Sequence, residues 1–264
     1  MSDERFNATI TEHRPLTEEY SVFRIVPDSG EVYDFDPGQY ASLGLLPEHA
    51  EPGPDGAPPK MVLRPYSIAS SNKEKAHLEF FIVRSANGAF TPLLWKAGEG
   101  GRIWLRPKPQ GLFTFSKVPE GKVVIMVATG TGLAPFMSMV RSCRGGEKWR
   151  RCILISGGRH ASDLGYCEEI EAISRIDPTI RYLPIVTREP EGSAWGGLRG
   201  RVTTLLDPLR FQELTGDALD PEESQVMLCG HGDMIESVKE LLAPLGFRPH
   251  KKSEPGQIHM EAFH

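Results

Sequence analysis

Cysteine is scarce in this chain. Its 264 residues include four, Cys143, Cys152, Cys167 and Cys229, and no two are spaced as C-x-x-C. Neither a zinc ribbon nor an iron–sulfur cluster is therefore indicated. Long hydrophobic runs are also missing. The longest, Val123 to Ala128, falls far short of the roughly 18 to 20 apolar residues that span a bilayer. The first residues, MSDERFNATITEHR, lack the apolar stretch of a signal peptide, so the expectation is a cytoplasmic protein without membrane insertion. A basic excess is absent too: 30 Lys and Arg face 35 Asp and Glu, for a net charge of -5. That balance argues against a nucleic-acid partner. The one local run of cations, Arg141, Arg144, Lys148, Arg150 and Arg151, reads as a solvated helix end and turn rather than as a docking patch.

What is present is ordinary for a globular protein, with 39% hydrophobic and 25% charged residues, too balanced for a disordered or fibrous chain. The length suits two domains. Up to residue 116, short segments rich in aromatic and β-branched side chains are separated by Gly, Pro, Asn or Asp. Residues 20–26, 39–45, 66–70, 78–84 and 102–105 read as strands of an antiparallel barrel or sandwich. Between them, 47–60 is crowded with Pro and Gly and reads as an exposed loop.

After Pro119 the rhythm changes. Apolar segments at 123–129, 152–156, 180–186, 225–229 and 257–261 alternate with helical spacing at 135–143, 163–175 and 233–245. Alternation of that kind predicts a doubly wound parallel sheet with helices on both faces. The expected division is 1–116 and 117–264.

The second half carries the sharper chemistry. Ala128-Thr-Gly-Thr-Gly-Leu-Ala-Pro135 closes a strand and opens a helix, where glycines let backbone approach a ligand and free amides favour an anion. Its spacing is not G-x-G-x-x-G, so the turn alone does not establish a nucleotide site. Arg159, Arg188 and Cys229-Gly-His-Gly follow the next three long strands, and Arg201, in LRGRV, joins them at the start of a following helix. Ligands in such sheets sit beyond the carboxyl ends of the strands, and converging guanidiniums suit a 2′-phosphate. In the first half, Arg64-Pro-Tyr-Ser67 combines a phosphate-seeking cation, a stacking aromatic and a hydroxyl, types that serve a dinucleotide with a flat ring.

These pieces occur in one collinear pattern with Pro37-Gly-Gln-Tyr40, Leu78 to Val83, Gly88-Ala-Phe-Thr-Pro92, Gly158-Arg-His-Ala-Ser-Asp-Leu-Gly-Tyr166, Val186-Thr-Arg-Glu189, Leu198-Arg-Gly-Arg201 and Val226-Met-Leu-Cys-Gly230. In that order the chain resembles the bacterial-type ferredoxin–NADP(H) reductases over nearly its whole length. The resemblance implies an N-terminal FAD-binding β-barrel, a C-terminal NADP-binding α/β domain, and the flavin ring at the cleft between them. It assigns Arg64 to the FAD pyrophosphate, Tyr66 to the isoalloxazine face and Ser67 to the neighbourhood of flavin N5. Phe81, Val83, Phe90 and Thr91 would line the FAD site, although Phe and Val at such positions also serve as barrel core.

For NADP, the resemblance brings Gly130, Thr131 and Gly230 to the phosphates or the nicotinamide mouth, with Thr131 also among the FAD-binding positions, and Arg159, Arg188 and Arg201 to the 2′-phosphate. Cys229 would lie beside the nicotinamide, a place a small buried hydrophobe also fills. At the C-terminus, Glu261 and Phe263 match a Glu and an aromatic that covers the flavin. The family frequently has Tyr where this chain has Phe263, and His264 is additional, so Phe263, Ala262 and His264 are the three candidates to face the ring. Ser67, Cys229 and Glu261 are thus the expected catalytic positions. The implied activity is hydride transfer between NADP(H) and FAD, with single electrons passed to a separate ferredoxin or flavodoxin by a monomer. The same scaffold also serves stand-alone flavin reductases and oxygenase reductase components, and a non-catalytic nucleotide-binding module is the alternative of another class.

Overall fold

The computed structural model describes residues 4–47, 51, 57–145 and 148–263. Of the expected loop at 47–60, Pro47, Glu51 and 57–60 carry neither helix nor strand, and the remainder lies outside the described residues. The chain forms two compact units, one from residues up to 112 together with 137–142, the other from 113–136 with 143 onward.

The first unit contains six strands, β1 (Ala8–Pro15), β2 (Tyr20–Pro27), β3 (Tyr40–Leu45), β4 (Val62–Ser67), β5 (Leu78–Val83) and β6 (Arg102–Leu105), and one short helix, α1 (Thr91–Ala97). They pair in the order β4-β3-β6-β1-β2-β5, and every pairing is antiparallel. An isolated bridge between Ile68 and Phe80, with the Ala69 N–H donating to Glu79 O at 2.7 Å, joins the two ends into a barrel. Strand periodicity sorts the side chains. Leu78, Phe80 and Ile82 enter the core with Ile10, Phe23, Ile25, Leu43, Phe90 and Leu94, each fully buried apolar side chain being worth about 1.5–3 kcal/mol. Glu79, Phe81 and Val83 alternate with them along β5 and stand outside that core cluster.

The sequence reading missed two elements here and shifted a third. β1 is polar over most of its second half, with Thr11 and Arg14 exposed and the half-buried His13 stacked on Phe23, and it has a bulge between Ile10 and Glu12, which breaks the alternation. α1 spans seven residues, too few for a helical period. The strand expected at 66–70 is observed at Val62–Ser67. Pro65 lies inside it, and β4 is the last strand in the sheet order, where a residue with no N–H to donate is tolerated.

The second unit holds β7 (Val123–Thr129), β8 (Arg151–Gly158), β9 (Ile180–Val186), β10 (Leu198–Arg199), β11 (Ser224–His231) and β12 (Ile258–Phe263), in the order β10-β9-β8-β7-β11-β12. All five pairings are parallel. The helices that follow its strands are α2 (Leu133–Cys143), whose residues 137–142 group with the first unit, α3 (Cys167–Ile176), α4 (Pro208–Thr215) and α5 (Gly232–Leu242). From β7 the chain winds outward through β8, β9 and β10, then returns to the other side of β7 as β11. The switch point of the sheet therefore lies between β7 and β11, where such folds place their ligands.

α3 starts four residues later than expected. A 3₁₀ turn at Ala161–Asp163 precedes it, closed by the Asp163 carboxylate, and Tyr166 enters the helix at φ 57°. α5 ends earlier, at Leu242, with Ala243–Leu245 continuing as a 3₁₀ turn containing Pro244. α4 was missed although Asp207 caps it, Pro208 opens it and Gly216 ends it, the usual boundary signals. β12 runs to Phe263, so the expected strand at 257–261 is displaced toward the terminus.

On β12, His259 is 9% exposed, stacks on His250 at 4.6 Å and places Nε2 3.1 Å from Gln225 Oε1. Burial, then repulsion from His250, pushes its pKa down to about 4. The unfolded chain takes up that proton near pH 6.5 and the folded chain does not. Stability is therefore complete above pH 6.5 and falls as the pH drops toward 4. The melting temperature should decline over that window, and His259→Asn should flatten the decline; an unchanged profile would remove His259 as its cause.

Candidate coenzyme-binding site

The parallel sheet builds the site by crossing two chain reversals at its switch point. One leaves β7 through Gly130–Gly132 into α2, and the other leaves β11 into α5. They touch backbone to backbone: a Cβ on Gly132 would collide with the Cys229 carbonyl, and one on Gly230, at φ +144°, with Thr129. Only glycine allows this approach. The Thr129 hydroxyl accepts the His231 N–H at 3.2 Å, and His231 Nδ1 caps α5 by accepting the Asp233 N–H at 3.2 Å.

Parallel register between β11 and β12 sets Cys229 beside Glu261, Gly230 beside Ala262 and His231 beside Phe263. Cys229 is buried, and desolvation first, then the Glu261 charge, pushes its thiol up. It is a neutral, small floor to the site and not a thiolate nucleophile. Glu261 and Phe263 are half-buried. Thr131 is also half-buried, in the turn after Gly130. His264 lies outside the described residues.

Further along the sheet edge, the ends of β8, β9 and β10 carry the arginines. The Arg188 N–H donates to Arg159 O at 2.7 Å, and the Gly200 N–H donates to Val186 O at 2.8 Å. Arg159, Arg188 and Arg201 are all exposed. Two residues that sequence reasoning did not single out organise this corner. The buried Asp163 accepts from Arg159 Nε at 3.1 Å, and Glu189 Oε2 accepts the Ala161 N–H at 2.8 Å. Their signal was only proximity, four residues after Arg159 and one after Arg188. Thr129 and His231 were likewise unassigned.

In the barrel, β4 presents the first-half candidates. Arg64 is exposed, and its Nη1 donates to Leu63 O at 2.8 Å. Tyr66 is half-buried, its ring tilted at 39° and 5.6 Å from Phe90, and burial pushes its phenol pKa up, so it is neutral. Ser67 is buried. Phe81 stacks on Tyr20 at 5.5 Å, while Val83 is partly exposed. Phe90 packs within the barrel core. The Thr91 hydroxyl accepts the Ser85 N–H at 2.9 Å and donates to Ser85 O at 3.0 Å, holding the loop before α1 closed.

A buried carboxylate lies on the outer face of β5. Glu79 is 2% exposed and meets Arg24 Nε at 3.0 Å and Arg141 Nη1 at 2.8 Å, and Arg141 also donates to Ala69 O at 2.8 Å. Most of the basic run is spent in the same way: Lys148 pairs with Glu120, Arg150 with Asp217 and Glu223, and Arg151 with Asp217. Among the described residues no helix is long and apolar enough to cross a membrane.

Comparison with known proteins agrees with this geometry. Residues 126–240 match the oxidoreductase NAD-binding domain family. The chain is 33% identical over 238 residues to ferredoxin–NADP reductase A of Sorangium cellulosum, covering 87% of this chain and 80% of that protein. It is 30% identical over 237 residues to the ferredoxin–NADP reductase of Pseudomonas aeruginosa, covering 86% of each. Among solved structures, a ferredoxin NADP+ reductase from Neisseria gonorrhoeae with bound FAD and NADP superposes with a TM-score of 0.83 at 27% identity, covering 98% of this chain and 99% of that one. The flavohaem-like FAD/NAD-binding domain of nitric oxide dioxygenase from Vibrio cholerae shares the fold, with a TM-score of 0.74 at 18% identity over 98% of each chain. Identity at this level, sustained over most of both chains and joined to a glycine crossing at the sheet's switch point, means that the chain belongs to the ferredoxin–NADP reductase family.

Proposed function

We propose that the protein is an FAD-dependent oxidoreductase that exchanges hydride with NADP(H) and passes single electrons to or from a separate ferredoxin or flavodoxin. In this reading residues 1–116 carry FAD and 117–264 carry NADP(H). The observation that carries it is the glycine crossing at the β7–β11 switch point, flanked on the same sheet edge by three exposed arginines. The relatives named ferredoxin–NADP reductase, and the related structure with bound FAD and NADP, support both cofactors and the carrier.

The residues fit these groups. Glycine at 132 and 230 lets the two segments cross backbone to backbone, which brings the Gly130–Thr131 turn and Gly230 together where a phosphate or nicotinamide would bind. Arg159, Arg188 and Arg201 offer forked donors for a 2′-phosphate. On the barrel, the exposed Arg64 suits a pyrophosphate, the neutral Tyr66 ring suits the flavin face, and Ser67 supplies a hydroxyl near it. Phe81, Val83, Phe90 and Thr91 shape that side, the last two by fixing β4 and the loop before α1.

When bound, flavin supplies acceptance of two electrons together and their release singly. The chain's part is to bind, orient and exclude water. Cys229 would serve by being small and uncharged, so that no nucleophilic thiolate stands beside the coenzyme. Glu261 is held opposite it by the β11–β12 register, and Phe263, two residues on, supplies an apolar cover. Among the described residues the four cysteines form no disulfide, which fits a reducing cytoplasmic compartment.

The purified protein should be yellow and should bleach on mixing with NADPH in a stopped-flow instrument, then recover with ferredoxin or flavodoxin. Bound FAD that never bleaches would overturn the hydride reading, and recovery with free flavin alone would favour a flavin reductase. Arg159→Ala or Arg201→Ala should raise KM for NADPH by about tenfold or more and leave KM for NADH nearly unchanged. Equal effects on both coenzymes would displace the 2′-phosphate site.

A further inference from the structure

Arg159 stands at the end of β8 with a side chain 43% exposed, yet it is held from within the protein. One oxygen of Asp163, Oδ2, accepts Arg159 Nε at 3.1 Å, the Arg159 backbone N–H at 3.2 Å and the His160 N–H at 3.2 Å. Asp163 itself is 8% exposed. A second carboxylate, Glu189, accepts the Ala161 N–H at 2.8 Å and lies 3.8 Å from His160 Nδ1. The Arg188 N–H donates to Arg159 O at 2.7 Å. The β8–α3 turn and the segment after β9 are thereby tied into one piece around the base of the Arg159 side chain.

Resting on the reading that Arg159 meets the coenzyme's additional phosphate, we propose that Asp163 is a positioning residue for coenzyme discrimination. By engaging Nε it sets the guanidinium plane before any nucleotide arrives. A flexible arginine would lose rotamer freedom on binding, and a pre-set one loses less. The opposing effect is charge: a carboxylate near the site repels the same phosphate and partly neutralises the guanidinium. Two features decide for geometry. Asp163 is buried, whereas the arginines are exposed to the incoming ligand, and its oxygen is committed to three N–H donors whose positive ends screen it.

The test is Asp163→Asn in the FAD-loaded enzyme, with kcat and KM measured for NADPH and NADH. Asn is nearly the same size but no longer anchors the guanidinium with a charge. The expected result is a KM for NADPH raised about five- to tenfold, as for one lost oriented, charge-assisted contact, with kcat and the NADH parameters within about twofold. In Arg159→Ala the added Asp163→Asn should change nothing more, because the group it positions is gone. A KM for NADPH that stays the same or falls would show that the carboxylate's charge outweighs its geometry, and equal rises for both coenzymes would reduce Asp163 to a structural cap; either overturns the proposal. If Arg159→Ala alone affects both coenzymes equally, it is the coenzyme-site reading that fails. Should Asp163→Asn not yield folded protein, Asp163→Ser is read by the same criteria.

Discussion

Gly132→Ala is expected to lower stability by about 3 kcal/mol and to slow flavin reduction by NADPH severely. The added Cβ meets the Cys229 carbonyl and the Gly230 N–H, both backbone groups of the chain leaving β11. Neither can rotate away. β11 lies inside the sheet between β7 and β12, so it moves only by disturbing ladders on both sides. Gly157→Ala is the instructive control. Its Cβ also comes too close to a neighbour, but that neighbour is a side chain, the buried Val202, whose displacement costs about 1–3 kcal/mol and leaves the crossing itself in place. Urea midpoints and the bleaching rate check both variants. A Gly132→Ala protein with the parental midpoint and parental bleaching would remove the crossing from the coenzyme site.

The second large effect concerns Glu79. Arg141→Met should destabilise the protein by about 3 kcal/mol, because it strips one cation from a carboxylate that is 2% exposed, and Arg24, which stays on it at 3.0 Å, is itself 39% exposed in water. The cost comes chiefly from the stranded charge and not from the lost attraction. Replacing both members, Glu79→Leu with Arg141→Met, should therefore recover much of the loss, and Arg24 would retain Glu12 at 2.8 Å. Denaturant midpoints of the two single variants and the double variant form the cycle that checks this. A double variant no more stable than Arg141→Met would show that the arginine acts through Ala69 O rather than through the buried charge.

The same residue shows the limit of reading charge along a chain. Arg141, Lys148, Arg150 and Arg151 form a basic run in sequence, but their partners Glu79, Glu120, Asp217 and Glu223 lie 28 to 73 positions away. Nothing local could pair them. α4 is the opposite case: its cap, its Pro and its terminal Gly were all in view, and the missing ingredient was a long apolar period in eight residues.

By itself the sequence determined whatever depends on neighbours within a few residues. Strand alternation and helical spacing distinguished the barrel half from the α/β half, and strand ends followed by Gly or Arg singled out the sheet edge proposed to meet the coenzyme. The family likeness added roles because its motifs are collinear. Tertiary structure decided whatever depends on register and crossing. It set Cys229 beside Glu261, pressed Gly132 against the Cys229 carbonyl, turned Asp163 onto Arg159 and buried Glu79 between two arginines. A strand's own pattern states which face it buries but not which residue of a distant strand it meets, because pairing is chosen by the packing of the whole sheet.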